Sequence, residues 1–145
     1  HSHPEVVEAI CRAAQRGTPE FLEQIYRFTC DCYNRVVVHP QFATDEEREK
    51  FLSDSDQQFH LMVAEAAGNE VVVRIMTNMI DLLRLSRMRS MKIPGRVEQS
   101  LQEHMAIAEA LKAKNARLAR ARMTNHLTGV EKALLKELED RSKGG

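Results

Sequence analysis

The sequence lacks a surplus of charge of either sign. Lys and Arg together number 21, as do Asp and Glu, so the formal net charge of the 145 residues is +0 at pH 7. Binding to nucleic acid depends on a basic surplus that releases counterions from the phosphates. This chain alone is therefore expected to bind DNA poorly.

Long apolar runs are also missing. The sequence contains no run of apolar residues as long as the roughly 18 that a membrane-spanning helix requires. It also shows no charged and then apolar leader with a small-residue cleavage site. We therefore expect a soluble, cytoplasmic protein with no membrane partner.

Cysteine is scarce, and its number is odd. Of the three, Cys30 and Cys32 form a Cys-x-Cys pair whose side chains would project from nearly opposite sides of a helix, and Cys11 lies far away in the sequence. This arrangement argues against a disulfide framework. We interpret the three as small buried hydrophobic residues in a reducing compartment.

Hydrophobic residues make up 43% of the 145 residues, enough for one domain that buries roughly two thirds of its unfolded surface. Their helical spacing, with N-terminal signals at Thr18-Pro19 and Thr44-x-x-Glu47, predicts six helices and no strands. Helix 70–91, which is apolar around most of its circumference, is expected to be central and buried. The predicted helices cover about 5–16, 19–36, 45–67, 70–91, 96–113 and 116–138.

Short connections between these helices favour an all-α antiparallel bundle. Residues 1–4 are interpreted as an expression remnant or a disordered end, and 141–145 as a flexible tail. The folded domain is therefore expected to span 5–140.

Four potential metal ligands fall on the apolar stripes of three helices. Asp56 and His60 share a stripe with Leu52, Phe59, Val63 and Ala67, while His104 and His126 continue similar series on later helices. A lone histidine on such a face is more often a hydrogen-bonded core residue. A buried unpaired carboxylate, however, costs several kcal/mol. One divalent ion would satisfy all four groups, and the sequence therefore predicts an internal metal site.

Three imidazoles and one carboxylate are borderline ligands. They suit zinc best, with nickel, manganese and iron as alternatives. A six-coordinate ion would keep two positions open for water or a small chelating anion.

Two arginines and an asparagine are weaker candidates for contacts with such an anion. Arg84 and Arg87 follow the apolar stripe of helix 70–91, so one guanidinium could turn inward and hold a carboxylate, although cations at a helix end most simply complement its dipole in solvent. Asn69 is interpreted mainly as the N-cap of the next helix, with a ligand contact as the alternative.

The order of these residues resembles a known family. The chain contains D-x-x-F-H from Asp56, A-x-G-N from Ala66, E-H-x-x-I-x-x-A from Glu103 and A-x-x-x-M-x-x-H-L from Ala119. This ordered set covers nearly the whole chain. It resembles the C-terminal effector-binding (FCD) domain of FadR-subfamily GntR transcription regulators.

The resemblance implies a ligand-sensing domain that binds a small organic acid over a metal held by Asp56, His60, His104 and His126. It also implies a homodimer that binds DNA through an N-terminal winged helix-turn-helix domain, which this sequence does not contain. The sequence departs from the family where Asn115 replaces a frequent Asp. It also begins inside or just before the family's first helix, so a cationic effector contact there has no match.

Two other interpretations remain open at this point. A metal-dependent hydrolase would need a general base beside the ion, but Glu65 lies off the apolar stripe and Glu103 on a neighbouring face. We therefore expect no enzymatic activity. A purely structural metal site would differ from a sensor by having no pocket over the ion.

Overall fold

The computed structural model describes residues 4–68, 70–82 and 84–144. Every regular element in these ranges is a helix, which confirms the all-α prediction. A short π-helix, Asn34–Val38, follows the second α-helix. The α-helices are α1 (Pro4–Arg16), α2 (Pro19–Tyr33), α3 (Asp45–Ala67), α4 (Glu70–Leu82), α5 (Arg84–Met91), α6 (Arg96–Lys112) and α7 (Ala116–Gly144).

The helix ends follow local side-chain chemistry. Thr18 Oγ1 accepts a hydrogen bond from the backbone N–H of Phe21 at the start of α2, and Thr44 Oγ1 accepts one from Glu47 at the start of α3. Such caps satisfy N–H groups that have no partner within the helix. At the other end of α3, Gly68 has φ of 69°, the left-handed conformation that a residue without Cβ adopts readily.

Five helices build the main core. α1 lies against α3 and α7, while α6 packs on α2 and α7. A single cluster of buried side chains joins these helices, and its largest members are Ile10, Leu22, Ile25, Phe59, Val63, Ile107, Leu111 and Met123. A second cluster, described below, lies between α2, α3 and α6.

Helix α4 differs from the prediction of a buried central helix. Its described side chains include Val71 and Ile75, which are 64% and 37% exposed. α4 packs mainly on α3, with fewer contacts to α1, and of its described side chains Val73 is partly buried against the main core cluster. An apolar side chain on a helix is buried only where a neighbouring element covers it.

Helix α7 is longer than predicted and continues past Leu138 to Gly144. The apolar period fades after Leu138, but no proline follows, and Arg141 Nε lies 2.6 Å from Glu137 Oε1 one turn earlier. This ion pair and the basic residues near the C-terminus both stabilise the extra helical turns of α7. Residues 1–3 and 145 of the predicted ends lie outside the described residues.

Candidate metal and effector site

Three helices bring the predicted metal ligands to one place. α3 carries Asp56 and His60 on adjacent turns, α6 carries His104, and α7 carries His126. Both His104 and His126 are buried, with 5% and 4% exposure, and Asp56 and His60 are partly buried. The helical period therefore orients all four toward the interior, as the apolar stripes predict.

The distances within this cluster suit a shared ion. Asp56 Oδ1 lies 3.8 Å from His60 Nε2 and 3.6 Å from His104 Nε2. Two ligands bound at about 2.0–2.1 Å to one ion would lie about 3–3.4 Å apart, so only small movements would be needed. Asp56, His60 and His104 thus form a group that could hold a metal.

His126 is adjacent to this group but is not part of it. Its Nε2 lies 3.2 Å from His104 Nε2. The His104 ring also stacks on Phe59, with 4.4 Å between ring centroids and 11° between planes. The two facing nitrogens can share a proton between them or direct both lone pairs at one ion.

Burial keeps two of the imidazoles neutral. It lowers the pKa of His60, although the charge of Asp56 opposes this effect. Burial, together with the neighbouring His126, His60 and Arg96, lowers the pKa of His104 well below its ordinary value. A neutral imidazole is the form that binds metal.

Some buried polar atoms of the cluster have no hydrogen-bond partner among the described residues. They include His60 Nδ1 and also Asp56 Oδ2, which lies within ion-pair distance of Arg87. Buried polar groups without partners are costly and are commonly satisfied by an ion or water. The neutral imidazoles and the short distances from Asp56 Oδ1 therefore both fit a divalent cation.

Arg87, rather than Arg84, lies at the site. Arg87 Nε is 2.8 Å from Asp56 Oδ2, a contact that is an ion pair by distance without the alignment of a hydrogen bond. The side chain of Arg84 is exposed and does not line the cavity. Asn69, the third candidate for an effector contact, lies outside the described residues.

Sequence reasoning assigned no role to Glu103, which it placed on a neighbouring face, and it missed Arg96. Glu103 Oε1 lies 2.5 Å from His126 Nδ1, and the same carboxylate pairs with Arg96, which is only 4% exposed. Burial raises the pKa of Glu103, but the hydrogen bond and charge of His126 and the charge of Arg96 lower it overall. Arg96 also donates from Nε to Ser100 Oγ.

A glycine on α7 makes room for this pair. A Cβ at Gly129 would lie 3.2 Å from Arg96 Nη1 and 3.6 Å from Glu103 Oε2. Glycine inside a helix is unfavourable by itself, so Gly129, one turn after His126, was the available sequence signal.

A cavity of about 480 Å³ opens over the cluster. All four predicted ligands and both Arg87 and Arg96 line it, together with a larger number of apolar side chains. Exposed residues of α5 and α7, Ser86 and Leu135, also line it. A pocket over the candidate metal ligands is the feature that distinguishes a ligand-binding site from a purely structural metal site.

Comparison with known proteins identifies the class to which this fold and site belong. The family model for the FCD domain matches residues 5–129, so the chain belongs to the FCD domain family, the effector-binding domain of GntR-family transcription regulators. This family is non-enzymatic, which confirms the expectation that the chain is not an enzyme.

Individual relatives are GntR-type regulators. The chain is 31% identical over 135 residues to the "Putative L-lactate dehydrogenase operon regulatory protein" of Escherichia coli K12, covering 90% of this chain and 48% of that protein. A protein of the same name from Shigella flexneri gives the same values. Over 85 residues it is 34% identical to the HTH-type transcriptional regulator LutR of Bacillus subtilis, covering 55% of this chain and 39% of LutR.

The chain thus spans about half the length of the first two of these relatives. Within the described ranges, no helix combines the length and the apolar character needed to cross a membrane.

Proposed function

We propose that this domain senses a small carboxylate that binds over a divalent metal ion held by Asp56, His60, His104 and His126. The supporting observation is the group of Asp56, His60 and His104 at the wall of a cavity, with His126 Nε2 3.2 Å from His104. Zinc is the preferred ion because imidazole and carboxylate suit it. Nickel, manganese and iron remain alternatives.

The effector would use both the ion and Arg87. A carboxylate can displace water from open positions on a metal, and a guanidinium can hold a carboxylate through charge-assisted hydrogen bonds. Arg87 already lies beside Asp56. The name of the Escherichia coli relative refers to an L-lactate dehydrogenase operon. Small hydroxy and keto acids are therefore the first acids to test.

The domain is further proposed to act in a cytoplasmic transcription regulator that binds DNA as a homodimer. The net charge of this chain is +0, which supports a DNA-binding surface outside it. That surface would belong to an N-terminal winged helix-turn-helix domain. Effector binding would change how the two DNA-binding domains are presented.

Elemental analysis of protein that was never exposed to chelator tests the metal. We expect about one divalent ion per chain, and its loss in His104→Ala and in His126→Ala but not in the control His39→Ala, whose residue does not line the cavity. Titration calorimetry with hydroxy and keto acids then tests the effector. Metal-free protein, with the four side chains hydrogen-bonded to one another in a crystal, would refute the metal site.

A further inference from the structure

The cavity lies between two separate apolar clusters. The second cluster consists of Cys32, Val36, Leu52, Val97 and Leu101, with Phe28 and Met91 among the side chains packed against it. Six of these residues line the cavity, the exception being Val36. Phe59, of the main core cluster, lines it as well. The cavity therefore extends from the imidazole cluster to a second hydrophobic wall.

A three-carbon acid would leave much of this space unfilled. The volume of about 480 Å³ lies within the range of roughly 300–1,000 Å³ typical of pockets that enclose larger ligands. The groups that would hold the carboxylate of an acid, the proposed ion on Asp56 and His60 and the guanidinium of Arg87, lie close together. The apolar lining has no counterpart in so small a ligand.

We propose that the effector is a 2-hydroxy or 2-keto acid that carries a hydrocarbon side chain of several carbons. Its carboxylate binds at the Asp56 and Arg87 end, and its side chain packs against the second cluster, including Leu52 and Leu101. This inference rests on the proposed function and adds the class of acid. The hydrocarbon side chain of the ligand would fill the apolar part of the cavity beside the second cluster.

Burial of the hydrocarbon chain predicts how the affinity should change with the length of the acid. Each methylene moved from water into an apolar site increases affinity about threefold to fourfold. Lengthening the acid by four methylenes is therefore expected to increase affinity on the order of a hundredfold. The increase ends when the chain fills the cavity.

Titration calorimetry on the protein as purified, with its metal content measured, tests the inference. The probes are straight-chain 2-hydroxy acids from three to eight carbons. The variant Val97→Thr changes a residue that belongs to the second cluster and lines the cavity, and Val37→Thr is the control, because Val37 packs on the second cluster but does not line the cavity. We expect Val97→Thr to weaken binding of the long acids several-fold and to leave the three-carbon acid and the metal content unchanged, and equal affinity for the long acids in Val97→Thr and Val37→Thr would overturn the inference.

The outcomes separate this inference from the proposed function. An affinity that increases with chain length in wild type and in Val37→Thr supports the inference. If the three-carbon acid binds and longer acids bind equally or more weakly, the inference is overturned while the proposed function stands. If no acid of any length binds, both are overturned.

Discussion

At the scale of single residues, Glu103 determines which nitrogen of His126 faces the cluster. Its carboxylate accepts a hydrogen bond from the Nδ1–H of His126 at 2.5 Å, and the Nε2 of His126 therefore faces His104. Carboxylates in this position orient metal-binding histidines and raise their basicity. Glu103 would thus act on the metal through His126.

Glu103→Gln is expected to weaken metal binding roughly 10-fold to 100-fold, because the amide cannot hold the imidazole as strongly. Competition with a chelator of known affinity measures the change. Glu109→Gln is the matched control on the same helix, since Glu109 is exposed and pairs with Arg122 away from the cavity. Equal metal affinity in the two variants would show that Glu103 has no such role.

Arg87→Ala is expected to weaken binding of a hydroxy acid about tenfold to a hundredfold. The reason is the loss of a charge-assisted bond to a buried anion, which is worth about 1.5–3 kcal/mol. Calorimetry measures the affinity, and elemental analysis should find the metal retained. Arg84→Ala, on the exposed side of α5, is the control and should bind as wild type does. Unchanged affinity in Arg87→Ala would assign the second anchor to another residue.

The inward placement of the four candidate metal ligands was predictable because helical spacing alone decides which side chains share a face. His104 and His126 are buried where the apolar stripes predict. Contacts between helices were not predictable in this way. The choice of Arg87 over Arg84, and the pairing of Glu103 with Arg96 and His126, depend on how α5, α6 and α7 pack together.

At the scale of helices, α7 combines His126 with a glycine one turn later. Gly129→Ala would by itself favour the helix by about 1 kcal/mol. The new methyl group would lie 3.2 Å from Arg96 Nη1, and Arg96 is held by Ser100 and Glu103. We therefore expect a smaller gain in the free energy of unfolding, accompanied by weaker metal binding.

Urea unfolding and chelator competition measure these two effects of Gly129→Ala. A full gain of about 1 kcal/mol with unchanged metal affinity would mean that Arg96 moves aside freely.

Helix boundaries were predictable wherever a side chain marks them. Thr18, Thr44 and Gly68 begin or end helices as their chemistry predicts. The exposure of Val71 on α4 was not predictable, because it depends on whether another element covers that face. The end of α7 was placed too early because the apolar period fades before the helix does.

At the scale of the whole molecule, two buried neutral imidazoles couple stability to pH. The pKa values of His60 and His104 are lowered in the folded state. The unfolded chain takes up protons on these groups as the pH falls through about 6.5, while the folded chain does not. Their contribution to stability is thus fully present above about pH 6.5 and is lost progressively as the pH falls toward the folded-state values.

For metal-free protein we expect the free energy of unfolding to fall below pH 6.5 by up to about 1.4 kcal/mol per pH unit for each histidine. Urea titrations between pH 7 and pH 5 measure this slope. His60→Gln should have a shallower slope, because one titrating group is removed. If both His60→Gln and His104→Gln showed a slope as steep as that of the wild type, the acid sensitivity would belong to other groups.

The cluster of ligands has a consequence for how the protein is made. Its donors are distributed from position 56 to position 126, and the last of them lies on the final helix. A chain emerging from the ribosome therefore carries an incomplete set of candidate ligands until α7 has been synthesised. Early capture of the proposed ion by all four candidate donors cannot occur, so full metal loading would mark a chain in which α3, α6 and α7 have already come together.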